Sequence, residues 1–281
     1  MGENEAVSVI SIGNCAQDIL RSQSAGSVIG ITSQGAFALT PTDHILFLTS
    51  KPFRGPLTIN LTPHVSFPFH QIEQGMPLAL TPSALKLAEG LPEIQITGQT
   101  EVFLPPIIEN TDLLLSDLHS RIKLAASLLP SHADSPCCMD RRSADEFTRL
   151  FQHNDQYALS QRLSQLLGCG VGLTPAGDDF ICGFFLALSA WGGVLFPGFP
   201  FQPLFSSVEM LAYQKTTTLS ANLINCASRG AADERITDLL VWLHTGNGDL
   251  EKIIEELRGY GSSSGFDTLR GIATAVRCST I

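Results

Sequence analysis

Residues 168–180, Gly-Cys-Gly-Val-Gly-Leu-Thr-Pro-Ala-Gly-Asp-Asp-Phe, place four glycines, a Thr-Pro turn and two adjacent carboxylates directly before an apolar run that reaches Trp191. Glycine lets a backbone take φ > 0 and lets other groups approach closely, so this cluster predicts a shaped loop. The run that follows (Phe180, Ile181, Phe184, Phe185, Leu186, Leu188, Trp191) is apolar on every side and predicts a helix buried in a core. A loop opening onto such a helix aims unpaired N–H groups and a partial charge of about +0.5 at one spot, which suits an anion. The expected chemistry is backbone amides from Gly170 to Gly177 holding an anionic group. Asp178 or Asp179 then orients an amine or amide N–H, or holds a divalent ion.

Two familiar nucleotide motifs do not apply. Gly172 and Gly177 have the spacing of a phosphate loop, but Asp178 follows where a lysine would supply positive charge. Leu173 takes the place of the last glycine of a dinucleotide fingerprint. Part of the cluster also has a simple helix-terminus account: Thr174 as N-cap, Pro175 as first helical residue, and an acid in the first turn gaining up to about 1 kcal/mol from the helix dipole. Capping one helix does not, however, require four glycines and two acids.

A second such segment, Gly259-Tyr-Gly-Ser-Ser-Ser-Gly-Phe-Asp267, precedes the last helix. Ser264 with Asp267 three residues on resembles a capping box, yet a box needs one serine and this segment offers three. Two loops of this kind, each opening a helix and each carrying Asp, are candidates to converge on one pocket. Lys215 falls on the apolar stripe of its own helix, with Thr216 and Ser220 on a neighbouring face, and is the candidate cation that the first loop lacks. Arg229, Arg270 and Arg277 are weaker candidates. The seven histidines form no i, i+4 pair and no zinc motif, and no G-x-S-x-G elbow occurs. The seven cysteines contain no Cys-x-x-Cys, so they are read as reduced packing residues, and zinc is not expected.

The elements that must position these residues change period along the chain. Val7–Ile12, Ser27–Thr32, Ala36–Thr40, His44–Thr49, Leu57–Leu61, Ile94–Thr97 and Glu101–Leu104 read as short strands between turn residues, too close together for crossover helices. A mainly antiparallel barrel or sandwich is expected over residues 1–108. Residues 109–281 read as helical: Thr111–Leu129 stopped by Pro130, a loop at Ser131–Pro136, one interrupted helix or two over Ser143–Leu167, and the buried run. Ser206–Arg229 follows as one stripe closed by Gly230, then Ile236–His244, Leu250–Leu257 and Phe266–Val276. The fold class is therefore α+β. With 44% hydrophobic and 16% charged residues the chain is globular, and its net charge of −10 argues against nucleic acid or an anionic membrane as partner. No run approaches the roughly 18 apolar residues of a membrane span, and the polar, acidic start does not read as a secretory signal.

The string at Gly168–Asp179, with Gly-x-Ser-Ser-Gly-x-Asp at Gly261–Asp267, resembles the bacterial family that includes the AllH-type subunit of oxamate carbamoyltransferase. The resemblance implies a cytoplasmic role in ureide and allantoin nitrogen catabolism. It also implies small molecules of the oxamate, carbamoyl phosphate and oxalurate set, and partner subunits of FdrA and AllG type. Carried over position by position, it points to Gly168, Gly170, Gly172, Thr174, Gly177, Asp178 and Asp179, and to Ser263, Gly265 and Asp267. The Ser-x-Arg-Thr-Arg, His-Pro-x-Gln and His-Cys-Leu-Pro motifs of ordinary carbamoyltransferases do not occur. The expected function is thus a carbamoyltransferase subunit whose catalytic candidates are Asp178, Asp179 and Lys215. No cofactor is expected, with Mg²⁺ as the one metal the acids would take. The rival expectations are a non-catalytic, anion-sensing docking subunit and a Mg²⁺-dependent phosphoryl-group enzyme using Asp178, Asp179 and Asp267.

Overall fold

A computed structural model of the chain describes residues 6–63, 67–87, 90–108, 113–128, 141–261 and 263–279. The expected helix start at Thr111-Asp112, the stop at Pro130, the loop at Ser131–Pro136 and the pair Cys137-Cys138 lie outside the described residues. The chain divides into two compact units, Met1–Pro105 and Pro106–Ile281.

The first unit is a β-barrel. Its strands are β1 (Val7–Gly13), β2 (Ala25–Thr32), β3 (Gly35–Leu39), β4 (Ile45–Thr49), β5 (Thr58–Leu61), β6 (Pro77–Thr81), β7 (Ala84–Lys86), β8 (Ile94–Gln95) and β9 (Glu101–Phe103). Pairing runs β5-β4-β3-β2-β6-β7-β8-β1 and closes through β1–β5, while β9 extends the β8 side of β1. Most pairs are antiparallel; β4–β5, β1–β8 and β1–β9 are parallel. Alternation puts Leu78 and Leu80 of β6 inside with Val7, Val9, Leu46, Leu48, Ile59 and Leu85. Closure leaves this short-stranded sheet fewer free edges to shield from other chains. Three elements are absent from the sequence expectation: β6, β7 and a helix, α1 (Asn14–Ser22), which buries Cys15, Ala16, Ile19 and Leu20 at helical spacing.

The second unit contains α2 (Leu115–Leu128), α3 (Arg141–Gln152), α4 (Gln156–Ser164), α5 (Ala176–Leu195), α6 (Phe201–Lys215), α7 (Thr218–Ser228), α8 (Glu234–Thr245), α9 (Leu250–Arg258) and α10 (Ser264–Cys278). The expected buried helix is α5. Phe180, Phe184, Phe185 and Trp191 on it are all within 1% of full burial, each phenylalanine contributing about 1.5–3 kcal/mol to the core. By length and composition α5 could cross a membrane, but most of it is buried inside this unit. It crosses α10 at glycine contacts: a Cβ on Gly183 would lie 1.9 Å from the Thr268 carbonyl oxygen, and one on Gly271 2.0 Å from that of Phe180. Only bare backbone allows that approach.

The structure corrects three local expectations. Ser206–Arg229 is not one helix: the chain breaks into α6 and α7 at Thr216, whose backbone is extended (φ −135°, ψ −171°), and Thr217 caps α7 by accepting from the Ser220 amide. Three successive β-branched residues, Thr216 to Thr218, weaken a helix here, and the Thr216 hydroxyl has a partner off the helix. Lys215 therefore ends α6, exposed, rather than sitting mid-stripe. Pro175, not Thr174, is the N-cap of α5, and Ser263 rather than Ser264 is that of α10; neither cap is closed by a side chain, so no capping box forms.

Candidate functional site

The loop before α5 folds back on its own helix. Gly168 (φ +74°), Gly170 (φ +120°) and Gly172 (φ +102°) all occupy left-handed conformations that only glycine adopts without strain. Gly168 packs on the last turn of α6, and Gly170 on the Ala176 amide at the start of α5. The Gly177 amide donates to the Cys169 carbonyl at 2.9 Å, and a Cβ at Gly177 would lie 1.9 Å from the Leu166 carbonyl oxygen. Among the described residues, the amides of Gly170, Val171, Gly172, Leu173 and Thr174 make no hydrogen bond inside the protein. Residues 170–173 are exposed. Successive unengaged amides of this kind are donors of the type that can hold an anion.

The second glycine-serine segment meets this loop. Thr174 Oγ1 and Ser264 Oγ lie 3.3 Å apart, and Thr217 Oγ1 donates to the Leu173 carbonyl at 2.7 Å. The N-termini of α5, α7 and α10 thus open at one place, adding their partial positive charges. Around them the protein buries three carboxylates: Asp178, Asp179 and Asp267, at 1%, 3% and 0% exposure.

These acids have different tasks. Asp178 accepts the Gly168 amide at 2.9 Å through Oδ1 and the Thr216 hydroxyl through Oδ2, with the Ser220 hydroxyl facing it without closing a bond. It ties the loop to the α6–α7 junction. Burial pushes its pKa up, and the bonds from Thr216 and Gly168 oppose that rise. Asp267 lies in the first turn of α10, 3.8 Å from the Arg270 guanidinium, which also lies over the Phe266 ring. Asp179 is the poised one. Burial raises its pKa to about 7, Asp267 and Asp178 adding repulsion against the pull of the Ser264 and Thr174 hydroxyls. Its Oδ2 is buried and accepts no hydrogen bond.

On the far side of Asp179 is a cavity of about 20 Å³, bounded by Cys182, Tyr260 and Thr268 and by the apolar Leu186, Leu223 and Ile236. Burial pushes the Cys182 thiol and the Tyr260 hydroxyl up, and the nearby Asp179 charge adds to both shifts. Asp233 reaches the cavity wall but is held by Arg235 at 2.7 and 2.9 Å, and that guanidinium lies 4.7 Å above the Tyr260 ring.

Of the residues singled out in the sequence, Gly168, Gly170, Gly172, Thr174, Gly177, Asp178, Asp179 and Asp267 are gathered at this junction. Ser263 is its N-cap residue on α10, and Gly265 packs on the Leu257 carbonyl. Lys215 stands beside Gly168 through its carbonyl, while its ammonium donates to Ser164 O and Oγ at 3.3 Å. Among the described residues no three His, Cys, Asp or Glu side chains are disposed to hold a metal ion. Cys182, Thr217, Tyr260 and Thr268 were not legible as site residues. Cys182, one helical turn after Asp179, and Tyr260, inside the second glycine-serine segment, carried a positional signal.

No solved structure matches the chain. Residues 166–276, which carry both loops and the helices they open, match the family model described as oxamate carbamoyltransferase subunit AllH, which supports the resemblance of this segment to the AllH family.

Proposed function

We propose that this chain is a subunit of an oxamate carbamoyltransferase that binds its small anionic substrate at the Gly168–Asp179 loop and uses Asp179 to move a proton. The supporting observation is Asp179 itself: a buried carboxylate with a pKa of about 7 and a free oxygen, where two glycine-hydroxyl loops meet. A general base works best with a pKa near the working pH. In the proposed reaction the oxamate amide nitrogen attacks the carbamoyl carbon of carbamoyl phosphate. The C–N bond forms, the C–O bond to phosphate breaks with its electron pair leaving on phosphate, and the nitrogen's proton passes to the Thr174 or Ser264 hydroxyl, which gives its own proton to Asp179. The open amides of residues 170–174 receive the charged oxygens, and the converging helix N-termini oppose their negative charge. Asp178 acts by positioning the loop.

A subunit works with other chains, and FdrA-type and AllG-type partners in a cytoplasmic complex of allantoin nitrogen catabolism complete the proposal. The exposed apolar side chains of Val171 (93%) and Leu173 (62%) on the loop support a partner surface that covers it. The test is calorimetry of the chain with carbamoyl phosphate, with and without Mg²⁺, followed by turnover assays of the assembled complex. Metal-independent binding and a loss of at least about 10²-fold in kcat for Asp179→Asn support the proposal. Undiminished turnover in that variant overturns the role of Asp179, and binding that requires Mg²⁺ transfers the site to metal-assisted phosphoryl chemistry.

A further inference from the structure

At the opposite end of α5 and α10 from the two loops, the geometry points to a second binding site, one for an organic cation with an aromatic or apolar body. A pocket of about 450 Å³ lies there, within the size range of small-molecule sites. Three helices end on it: α3 at Phe151 and Gln152, α5 at Leu195 with Phe199 just beyond, and α10 at Cys278 and Ser279. The 20 residues of α5 put about 30 Å between this pocket and the Gly168–Asp179 loop.

The wall of the pocket selects the charge of its ligand. Each helix end carries a partial negative charge of about 0.5, and three such ends add at one place. Among the described residues the carbonyls of Gln152 and Leu195, the last residues of α3 and α5, accept no hydrogen bond. Phe196 stacks on Phe151 with ring centroids 3.9 Å apart, and Phe199 meets Phe151 edge-on at 5.0 Å. Phe196 and Phe199 remain half-buried, and both line the pocket. Aromatic faces attract cations, so the rings and the helix ends favour the same sign of charge. Among the described residues no charged side chain lines the pocket, and the Cys278 thiol, pushed up to about 11 by burial, stays neutral. Arg149 and Arg277 stand in the last turns of α3 and α10 without lining it. A hard metal ion finds no carboxylate on this wall and an anion finds no cation, whereas a weakly hydrated organic cation needs neither. The net charge of −10 adds long-range attraction for a positive ligand.

The experiment titrates the full chain by calorimetry, at neutral pH and fixed ionic strength, with two probes that share a benzyl group and differ in charge: benzyltrimethylammonium and benzyl alcohol. Benzyltrimethylammonium should bind at least about tenfold more tightly. Gln152→Lys and Gln152→Glu set a charge on an exposed lining position, where neither disturbs the core. The first should weaken binding of the cation severalfold, and the second should strengthen it. Phe199→Leu keeps an apolar side chain but removes the ring, and should shrink the preference for the cation over the alcohol. Equal affinity of the two probes, no binding of either, a cation affinity indifferent to both charges at residue 152, or an unchanged preference in Phe199→Leu overturns the inference. Carbamoyl phosphate is absent throughout, so these outcomes stand apart from the fate of the carbamoyl transfer.

Discussion

Replacing Asp179 with Asn is the most informative perturbation, because it should make the protein more stable and less active. In the native state the carboxyl titrates at about 7 rather than 3.8, because burial and two neighbouring acids penalise its charge. The folded protein therefore holds the proton more tightly than the unfolded chain, so stability falls as pH rises from about 4 to about 7 and levels off above. At about 1.4 kcal/mol per unit, the fully ionised state carries a penalty of about 4 kcal/mol, an order-of-magnitude figure for a group 3% exposed. Asparagine keeps the shape and removes the charge. Relative to Asp179→Asn, the wild type should lose about 2–3 kcal/mol between pH 5 and pH 8. Urea unfolding at the two pH values measures this. Both tryptophans, Trp191 and Trp242, are buried in the helical unit and report its transition. A variant no more stable than wild type at pH 8, or a difference between the two proteins that does not change with pH, would refute the assignment of Asp179 as the strained carboxylate.

Asp178→Ala should destabilise the helical unit by about 2–4 kcal/mol in the same assay, since it strands the Gly168 amide and the Thr216 hydroxyl; a loss under 1 kcal/mol would show that the loop closes without it. Gly271→Ala, whose Cβ would lie 2.0 Å from the Phe180 carbonyl oxygen, should cost about 3 kcal/mol or more or prevent folding, and wild-type stability in urea would contradict the close α5–α10 crossing. Gly172→Ala meets no neighbour within 4 Å and should cost only the 1–2 kcal/mol or so of its left-handed backbone, while weakening carbamoyl phosphate binding measured by calorimetry. Lys215→Met removes an exposed ammonium that reaches Ser164 at 3.3 Å, so stability should change by less than about 1 kcal/mol; a large loss of carbamoyl phosphate affinity would place that charge on the phosphate instead.

The amino-acid sequence alone carried the α+β class, the barrel-forming strand region and α5, because each rests on local periodicity. Alternation at Val7–Ile12 and all-round apolarity at Phe180–Trp191 need no distant partner to be recognised. It missed α1, β6 and β7, short segments with few turns of periodic signal, and it joined α6 to α7 because the stripe continues through a break. That break depends on the Thr216 hydroxyl finding Asp178, 38 residues away. Both Asp178 and Asp179 were visible as a pair, but nothing local separates them. One is engaged by Gly168 and Thr216; the other has only the Ser264 and Thr174 hydroxyls beside it and faces Asp267 from another helix, so that desolvation and repulsion outweigh them in setting its acidity. Types and spacings of residues determined that the chain carries two glycine-rich helix starts with acids. Which acid keeps a free oxygen, and the fact that Thr174 meets Ser264 across 90 positions, were decided only by tertiary packing, because burial and charge coupling act through space rather than along the chain.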